Sequence, residues 1–192
     1  MNLVRPITRA DIKGPKLYGP IRDDYRNRVI AMKVDRRVIF ERVELVFDNR
    51  FTLTLQIEET IRLENLDEAG IAEEIRINNE LMPTDSSLAA TLFIPLPHGA
   101  DAHVVLKDLV GLDEHLILHL GAHAIRASFE PGRSEADRIS AVQYVRFPLA
   151  ADAKAALVAA NTPIALEIDH PNYKQRVQCP EALRASLAAD YG

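Results

Sequence analysis

The sequence predicts an α+β fold: a single domain over residues 1–192 in which helices pack on a mostly antiparallel sheet, sandwich-like or barrel-like. Several short segments alternate apolar and polar residues with the period of a β-strand, and the segments between them repeat apolar residues at helical spacing. No repeat, low-complexity stretch or Gly/Ser linker divides the chain. With 192 residues and 47% hydrophobic content, it buries roughly 70% of its unfolded surface, which suffices for one core.

The N-terminal region is predicted to be helical. Thr8 and Asp11 have the spacing of a capping box, so a short helix is expected to begin there and to end at Pro15. Pro20 can open a second helix. The buried face of that helix is expected to consist of Ile21, Tyr25, Val29 and Met32.

After residue 38 the hydrophobic period changes from helical to two, which predicts a β-hairpin over residues 43–55. A three-residue loop at 48–50 would pair Phe47 with Phe51 and keep every apolar residue on one face. The residues expected on that face are Val43, Leu45, Phe47, Phe51, Leu53 and Leu55.

The rest of the chain continues this mixture. Residues 57–80 are predicted to form two helices that break near Asn65, with Ile71 and Ile75 on the buried side. The strand over 139–149 is largely apolar on both faces, so it is expected to be central in the sheet. The other predicted elements are a strand at 88–96, a helix at 99–110, a hairpin at 115–129 that turns at Gly121 and Ala122, a helix at 151–160, a hairpin formed by 164–169 and 174–178, and a helix at 180–189.

The charge of the chain is unevenly distributed. Residues 1–50 contain 12 Lys and Arg against 7 Asp and Glu, a net +5, and the remainder has a net charge of −10. Aspartates are interleaved with the arginines of the basic helix, and the aromatic platforms of single-strand binders are absent, so no nucleic-acid partner is predicted. The basic helix is expected either to pair with the acidic body internally or to form a self-association surface.

The sequence favours a cytoplasmic protein with no membrane partner. Cys179 is the single cysteine and cannot form an internal disulfide. The first residues, MNLVRPITRAD, contain no apolar core of a signal peptide. No apolar run approaches the roughly 18 residues that a spanning helix needs.

Four segments resemble one family: DRISAVQYVRFPL at 137–149, DHPNY at 169–173, RPITRADI at 5–12 and QIEETIRLE at 56–64. Together they make nearly the whole chain similar to the bacterial domain-of-unknown-function family 3501. No reaction or ligand is established for that family, so the resemblance implies no site residue. It implies an accessory role in bacterial redox or iron metabolism, since genes of the family lie beside those of rubrerythrin-like and iron–sulfur proteins.

His115, His119 and His123 are spaced four apart, which on a helix would align three metal ligands. The segment HLILHL alternates with period two and ends at a glycine, so we predict a strand, where His115 and His119 lie about 13 Å apart. Across a two-residue turn His123 pairs with Leu120 and points to the other face. The sequence therefore predicts no metal site. None of the eight glycines lies in a GxGxxG or GKS/T arrangement, and no cofactor is predicted.

The DHPNY motif contains the candidate catalytic residues. Asp169 could orient His170 for general acid/base work. The structural alternative places Pro171 and Asn172 at the centre of a β-turn, with His170 at its first position.

Cys179 immediately precedes Pro180 at the predicted start of the last helix, where a helix dipole would lower the pKa of a thiol. No resolving cysteine exists, so a structural thiol is the preferred interpretation.

The candidate ligand-binding residues are Arg138, in the charged loop that precedes the predicted strand, and Gln143 and Arg146 within that strand. Polar groups in an otherwise apolar strand need partners. In the structural interpretation Arg146 is mostly buried and pairs with a carboxylate from residues 58–80. In the functional one the three residues line a pocket for a small anion.

The leading hypothesis is a non-catalytic protein that binds a partner protein, a second copy of itself or a small ligand, since no catalytic set passes these geometric tests. The alternative is a small-molecule enzyme that uses acid/base residues of DHPNY and of the 130–146 region. A third hypothesis is a metal-binding protein that uses His115, His119 or His123.

Overall fold

A computed structural model describes residues 2–99, 101–135 and 137–191 of the chain. Its helices are α1 (Gly14–Tyr18), α2 (Arg22–Asp35), α3 (Arg50–Glu64), α4 (Glu68–Glu80), α5 (Ala102–Lys107), α6 (Ala151–Val158) and α7 (Glu181–Ala188). Its strands are β1 (Arg37–Ile39), β2 (Glu44–Asp48), β3 (Ser87–Phe93), β4 (Leu116–Leu120), β5 (His123–Arg126), β6 (Ser128–Phe129), β7 (Val142–Pro148), β8 (Ile164–His170) and β9 (Tyr173–Cys179). None of the helices in these residues is long and apolar enough to cross a membrane.

The strands form two antiparallel sheets that share one core, which confirms the α+β class. The order is β1-β2-β3-β7-β6 in the five-stranded sheet and β5-β4-β8-β9 in the four-stranded sheet. Along each strand, buried apolar residues of the inner face alternate with polar or half-buried residues of the outer face, as expected for strands that are buried on one side. The inner-face residues in the shared core include Leu45, Phe47, Leu92, Phe147, Leu118 and Leu166.

The two predicted hairpins in the second half of the chain are confirmed. β4 and β5 turn at Gly121, whose φ of 58° is accessible to glycine at little cost. The register places Leu120 opposite His123, as the two-residue turn requires. β8 and β9 pair with His170 opposite Tyr173, so Pro171 and Asn172 form the turn.

β7 is an interior strand, as predicted from its apolar character. It lies between β3 and β6, although β3 occupies the middle of the sheet. Val145 and Phe147 point into the shared core, and Tyr144 and Arg146 point to the outer face. The outer face of β7 is therefore more polar than the sequence pattern indicated.

The predicted hairpin over 43–55 is wrong in its second half, because residues from Arg50 onward form α3. Asn49 caps this helix: its side-chain oxygen accepts the backbone N–H groups of Phe51 and Thr52, and the Thr52 hydroxyl accepts the Asn49 N–H. Such a reciprocal cap satisfies the first free donors of a helix. Once the chain is helical, the spacing of four sets the buried stripe, which consists of Leu53, Ile57 and Ile61.

The N-terminal helices are rearranged relative to the prediction. Thr8 and Asp11 form the expected capping box, but the helix that they begin is a single 3-10 turn. Pro15 lies in the first turn of α1 and starts that helix instead of ending one. On α2 Val29 is fully buried, whereas Ile21, just before α2, is exposed.

α3 and α4 are separated at Asn65, as predicted. Asn65 adopts the left-handed conformation, with φ 51°, at the C-terminus of α3. Ile71 and Ile75 are buried, as expected. They belong to a second apolar cluster that also contains Ile7, Ile12, Leu53, Ile57, Ile61 and Met82.

A buried ion pair joins the end of α2 to the residues that follow α7. Arg36 and Asp190 are each 1% exposed, and Arg36 Nη2 lies 2.7 Å from Asp190 Oδ2. The same guanidinium donates to the carbonyl oxygens of Phe47 and Asp48, and Asn49 Nδ2 donates to Asp190 Oδ1 at 2.8 Å. Burial raises the pKa of the Asp190 carboxyl, and Arg36 and Asn49 oppose that rise.

We predict that Arg36→Met lowers the free energy of unfolding by about 3–5 kcal/mol, because it leaves Asp190 buried without its cation. The matched control is Arg37→Met, the same substitution at the next residue, whose side chain is 46% exposed. It is expected to change stability by about 0.5 kcal/mol or less. Equal effects of the two substitutions in urea unfolding would contradict this role of the pair.

Candidate ligand-binding site

A cavity of about 280 Å³ lies on the outer face of the five-stranded sheet, where the C-terminal end of α4 meets β3, β6 and β7. Three of its residues form one row across neighbouring strands, because Asp48 is opposite Ala89 and Ala89 is opposite Arg146. Directly opposite residues in antiparallel strands point to the same face. The apolar side chains of the wall are those of Leu81, Pro131 and Tyr144. Phe129 also borders the cavity, but it is opposite Val145 and packs against the shared core.

Arg146 is half-buried at one end of this row. Its Nη1 donates to Ser87 Oγ at 2.8 Å, and its Nη2 donates to the Glu80 carbonyl oxygen at 2.9 Å, which caps the last turn of α4. Within the described part of the chain, no carboxylate oxygen lies within 4.0 Å of the guanidinium. Burial lowers the pKa of Arg146 below its ordinary value.

These contacts change the expected partner of Arg146. The prediction of a carboxylate from residues 58–80 is wrong: Arg146 binds the main-chain carbonyl of Glu80, whose carboxylate pairs with Arg76. A guanidinium has five N–H donors, and two of those on Arg146 meet protein acceptors. The group therefore retains both its charge and donors with which to bind a ligand.

Asp48 lies at the other end of the row and is 7% exposed. The Thr91 hydroxyl donates to its Oδ2 at 2.7 Å. The Thr52 hydroxyl lies 3.0 Å from Asp48 Oδ1 and 3.0 Å from the Asn49 carbonyl oxygen. These two acceptors therefore share the single hydroxyl hydrogen of Thr52. No cationic side chain described by the structure lies within 4.0 Å of this carboxylate.

The rim of the cavity is formed by the segment that follows β6. The guanidinium of Arg133 stacks on the Tyr144 ring, 4.3 Å from its centroid, and pairs with Glu130. These contacts hold Tyr144 and Glu130 in place beside the cavity.

The structure does not bring the three candidate ligand-binding residues together. Gln143 and Arg146 point to opposite faces of β7 because their positions differ by an odd number. Gln143 is fully buried and donates to the carbonyls of Arg133 and Ser140. Arg138 lies in an exposed loop, where it pairs with Glu135. Only Arg146 borders the cavity.

Asp169 and His170 also point apart. Asp169 is exposed and pairs with Lys174 on the neighbouring strand, which lowers the pKa of its carboxyl. His170 is 3% exposed, and its Nε2 lies 2.9 Å from the Val110 carbonyl oxygen. The acid/base hypothesis requires the Asp169 carboxylate to orient the His170 imidazole, and the structure shows that it does not.

The DHPNY motif instead fastens the β8–β9 turn to its surroundings. His170 Nδ1 accepts the backbone N–H of Asn172, which assigns the ring hydrogen to Nε2 and the bond to Val110. Asn172 Nδ2 donates to the carbonyl oxygen of Asp108, and the Tyr173 hydroxyl accepts the backbone N–H of Arg42. These bonds give the motif a structural role.

Comparison with known proteins assigns the family. A family model described as a protein of unknown function, DUF3501, matches residues 6–191. The chain belongs to the DUF3501 family. The resemblance based on DRISAVQYVRFPL and DHPNY is thereby confirmed.

A solved structure similar to this DUF3501 chain is the 1.90 Å crystal structure of a novel protein of unknown function from Burkholderia pseudomallei K96243. The two chains are 30% identical, with a TM-score of 0.90, and the match covers 98% of this chain and 100% of the other. No curated protein matches the chain.

The three histidines of this DUF3501 protein have separate partners. His119 Nε2 lies 2.7 Å from Glu167 Oε2, and His123 Nδ1 lies 3.8 Å from Asp152 Oδ2. The His115 ring packs edge-on against that of His170, with centroids 5.4 Å apart. The described residues contain no group of three His, Cys, Asp or Glu that could hold a metal ion.

Cys179 is the last residue of β9 and is 7% exposed. Burial raises the pKa of its thiol to about 11, opposite to the effect of a helix dipole. The preceding strand therefore determines its environment, which agrees with a structural thiol.

Sequence reasoning missed Asp48 and Ala89. Asp48 was assigned to a hairpin loop, and an alanine in a strand gives no signal of a site. Both could have been found only from the pairing of β2, β3 and β7, which joins positions 48, 89 and 146.

We predict that His170→Ala lowers the free energy of unfolding by about 2 kcal/mol or more, because it removes a buried ring and leaves the Val110 carbonyl without its donor. The matched control is Asp169→Ala, which loses only an exposed ion pair and is expected to leave the thermal midpoint near that of the wild type. An unchanged midpoint for His170→Ala would contradict the structural role of the motif.

Proposed function

We propose that this DUF3501 protein is a non-catalytic binding protein whose cavity beside Ala89 binds a small ligand through an anionic group on Arg146. The observation that supports this most directly is the environment of Arg146. Its half-buried guanidinium borders the cavity and has neutral acceptors as its described partners. An anion would form charge-assisted, bidentate hydrogen bonds with such a group.

The energetics of Arg146 support the same proposal. Burial lowers the pKa of the guanidinium, which means that the surroundings disfavour its charge. An anionic ligand would offset that cost at the moment of binding. The volume of about 280 Å³ lies near the lower end for ligand pockets, so the ligand is of metabolite size.

Binding is favoured over acid/base catalysis because Asp169 and His170 do not border this cavity and do not contact each other through their side chains. The proposal places the protein in the bacterial cytoplasm, supported by its single cysteine. An accessory role in redox or iron metabolism and a partner protein or second copy are compatible with it and stay predictions. Nucleic acid and membrane are not part of it.

The test is a thermal-shift experiment with acetate, propionate, butyrate and phosphate, and with glycine, β-alanine and γ-aminobutyrate, which contain the same carboxylate beside an ammonium group. At concentrations well above its Kd, at least one of these compounds is expected to raise the Tm by about 2 °C or more. The Arg146→Gln variant should lose this response. The matched control, Arg176→Gln, removes an exposed arginine from the four-stranded sheet and should keep it.

The proposal is overturned if none of these compounds shifts the Tm of the wild-type protein, or if Arg146→Gln responds as the wild type does. Arg146→Gln also loses the bonds to Ser87 and Glu80, so its Tm without ligand is expected to be lower. Each variant is therefore compared with and without ligand.

A further inference from the structure

The cavity contains two charges of opposite sign that lack ion-pair partners in the described residues: the carboxylate of Asp48 and the guanidinium of Arg146. Its other two carboxylates, those of Glu80 and Glu130, are already paired with arginines. The two charges without ionic partners define what a ligand must offer.

Asp48 and Arg146 do not neutralise each other. Their strands flank β3, so their Cα atoms are about two strand spacings, roughly 10 Å, apart. Between them lies Ala89, whose side chain is one methyl group. Arg146 extends toward Ser87 and the end of α4, and Asp48 is held by hydroxyl groups. The gap between the two charges is part of the cavity.

A ligand with one charge fits this arrangement poorly. A simple carboxylate on Arg146 would leave Asp48 unpaired and would be repelled by it, since both are negative in a partly desolvated space. A ligand that also has an ammonium group would place it near Asp48, which has free acceptor capacity because its two hydroxyl contacts do not use all its lone pairs.

We infer that the ligand of this cavity is a small zwitterionic amino acid, with its carboxylate on Arg146 and its ammonium on Asp48. This inference rests on the proposed function and names the class of ligand. Leu81, Pro131 and Tyr144 provide the apolar surface against which the methylene groups of the ligand pack.

The experiment is isothermal titration of the full chain with glycine, β-alanine and γ-aminobutyrate, which separate the two charges by increasing lengths. Each is compared with the carboxylate that lacks the amine (acetate, propionate, butyrate) and the amine that lacks the carboxylate (methylamine, ethylamine, propylamine). At least one amino acid is expected to bind about tenfold or more tightly than both of its analogues, because each analogue loses one charge-assisted contact.

The role of Asp48 is tested with Asp48→Asn, which keeps a side chain that Thr52 and Thr91 can hydrogen-bond. This variant is expected to bind the preferred amino acid about tenfold more weakly, near the level of the matched carboxylate. The matched control is Glu44→Gln, on the same strand and face but outside the cavity. It should bind as the wild type does.

The outcomes separate this inference from the proposed function. Carboxylates that bind as tightly as their amino acids, with binding lost in Arg146→Gln, would overturn the zwitterionic ligand and leave anion binding intact. No binding of either series would overturn both. If Asp48→Asn fails to fold, the comparison of amino acids with their analogues on the unmodified protein still decides whether the ligand is zwitterionic.

Discussion

The ion pair between Arg36 and Asp190 joins segments that lie 154 residues apart, and the site depends on it. Arg36 binds the last two carbonyls of β2, and Asp190 holds the side chain of Asn49, which caps α3. Asp48 lies between Phe47, whose carbonyl Arg36 binds, and Asn49, whose side chain Asp190 binds. Its carboxylate consequently has a fixed position on the outer face of the sheet, although the residue ends a strand and precedes a helix.

The other half of the site depends on how α4 ends. The Glu80 carbonyl belongs to the last turn of a helix, where carbonyls lack intrahelical donors, and Arg146 of β7 supplies one. This bond holds the end of α4 close to the sheet and holds the guanidinium at the edge of the cavity. Arg146 thus stabilises the fold through neutral acceptors, which leaves its charge available to a ligand. A carboxylate partner from the protein would have removed that possibility.

Local patterns predicted most of the fold. The turn at Gly121, the break at Asn65 and the burial of Ile71 and Ile75 each follow from residues close together in sequence. The prediction of a strand at residues 50–55, where the chain is helical, is wrong for a specific reason. The segment FTLTL fits both periods, and the cap formed by Asn49 and Thr52, together with Ile57 and Ile61 further along, favours the helix.

The site was less predictable than the fold. Arg146 could be identified because a charge in an apolar strand demands a partner. The partner of Arg146 could not be predicted, since the sequence does not tell whether Glu80 binds through its carboxylate or through its main-chain carbonyl. Asp48 became visible only through the register of three strands. The DHPNY motif was identified from its resemblance to a family and from its adjacent Asp and His. Its structural role could not be predicted, because its side chains bind Val110 and Asp108, distant segments that no local pattern connects to it.

We propose that the row formed by Asp48, Ala89 and Arg146 is the floor of a ligand site. A crystal structure after soaking in the tightest-binding of glycine, β-alanine and γ-aminobutyrate decides whether it is. We predict ligand density beside Ala89, with the carboxylate within hydrogen-bond distance of the Arg146 guanidinium and the amine within that distance of Asp48. An empty cavity at a saturating concentration, or density confined to another surface such as that beside Arg42 and Asn172, would contradict the claim.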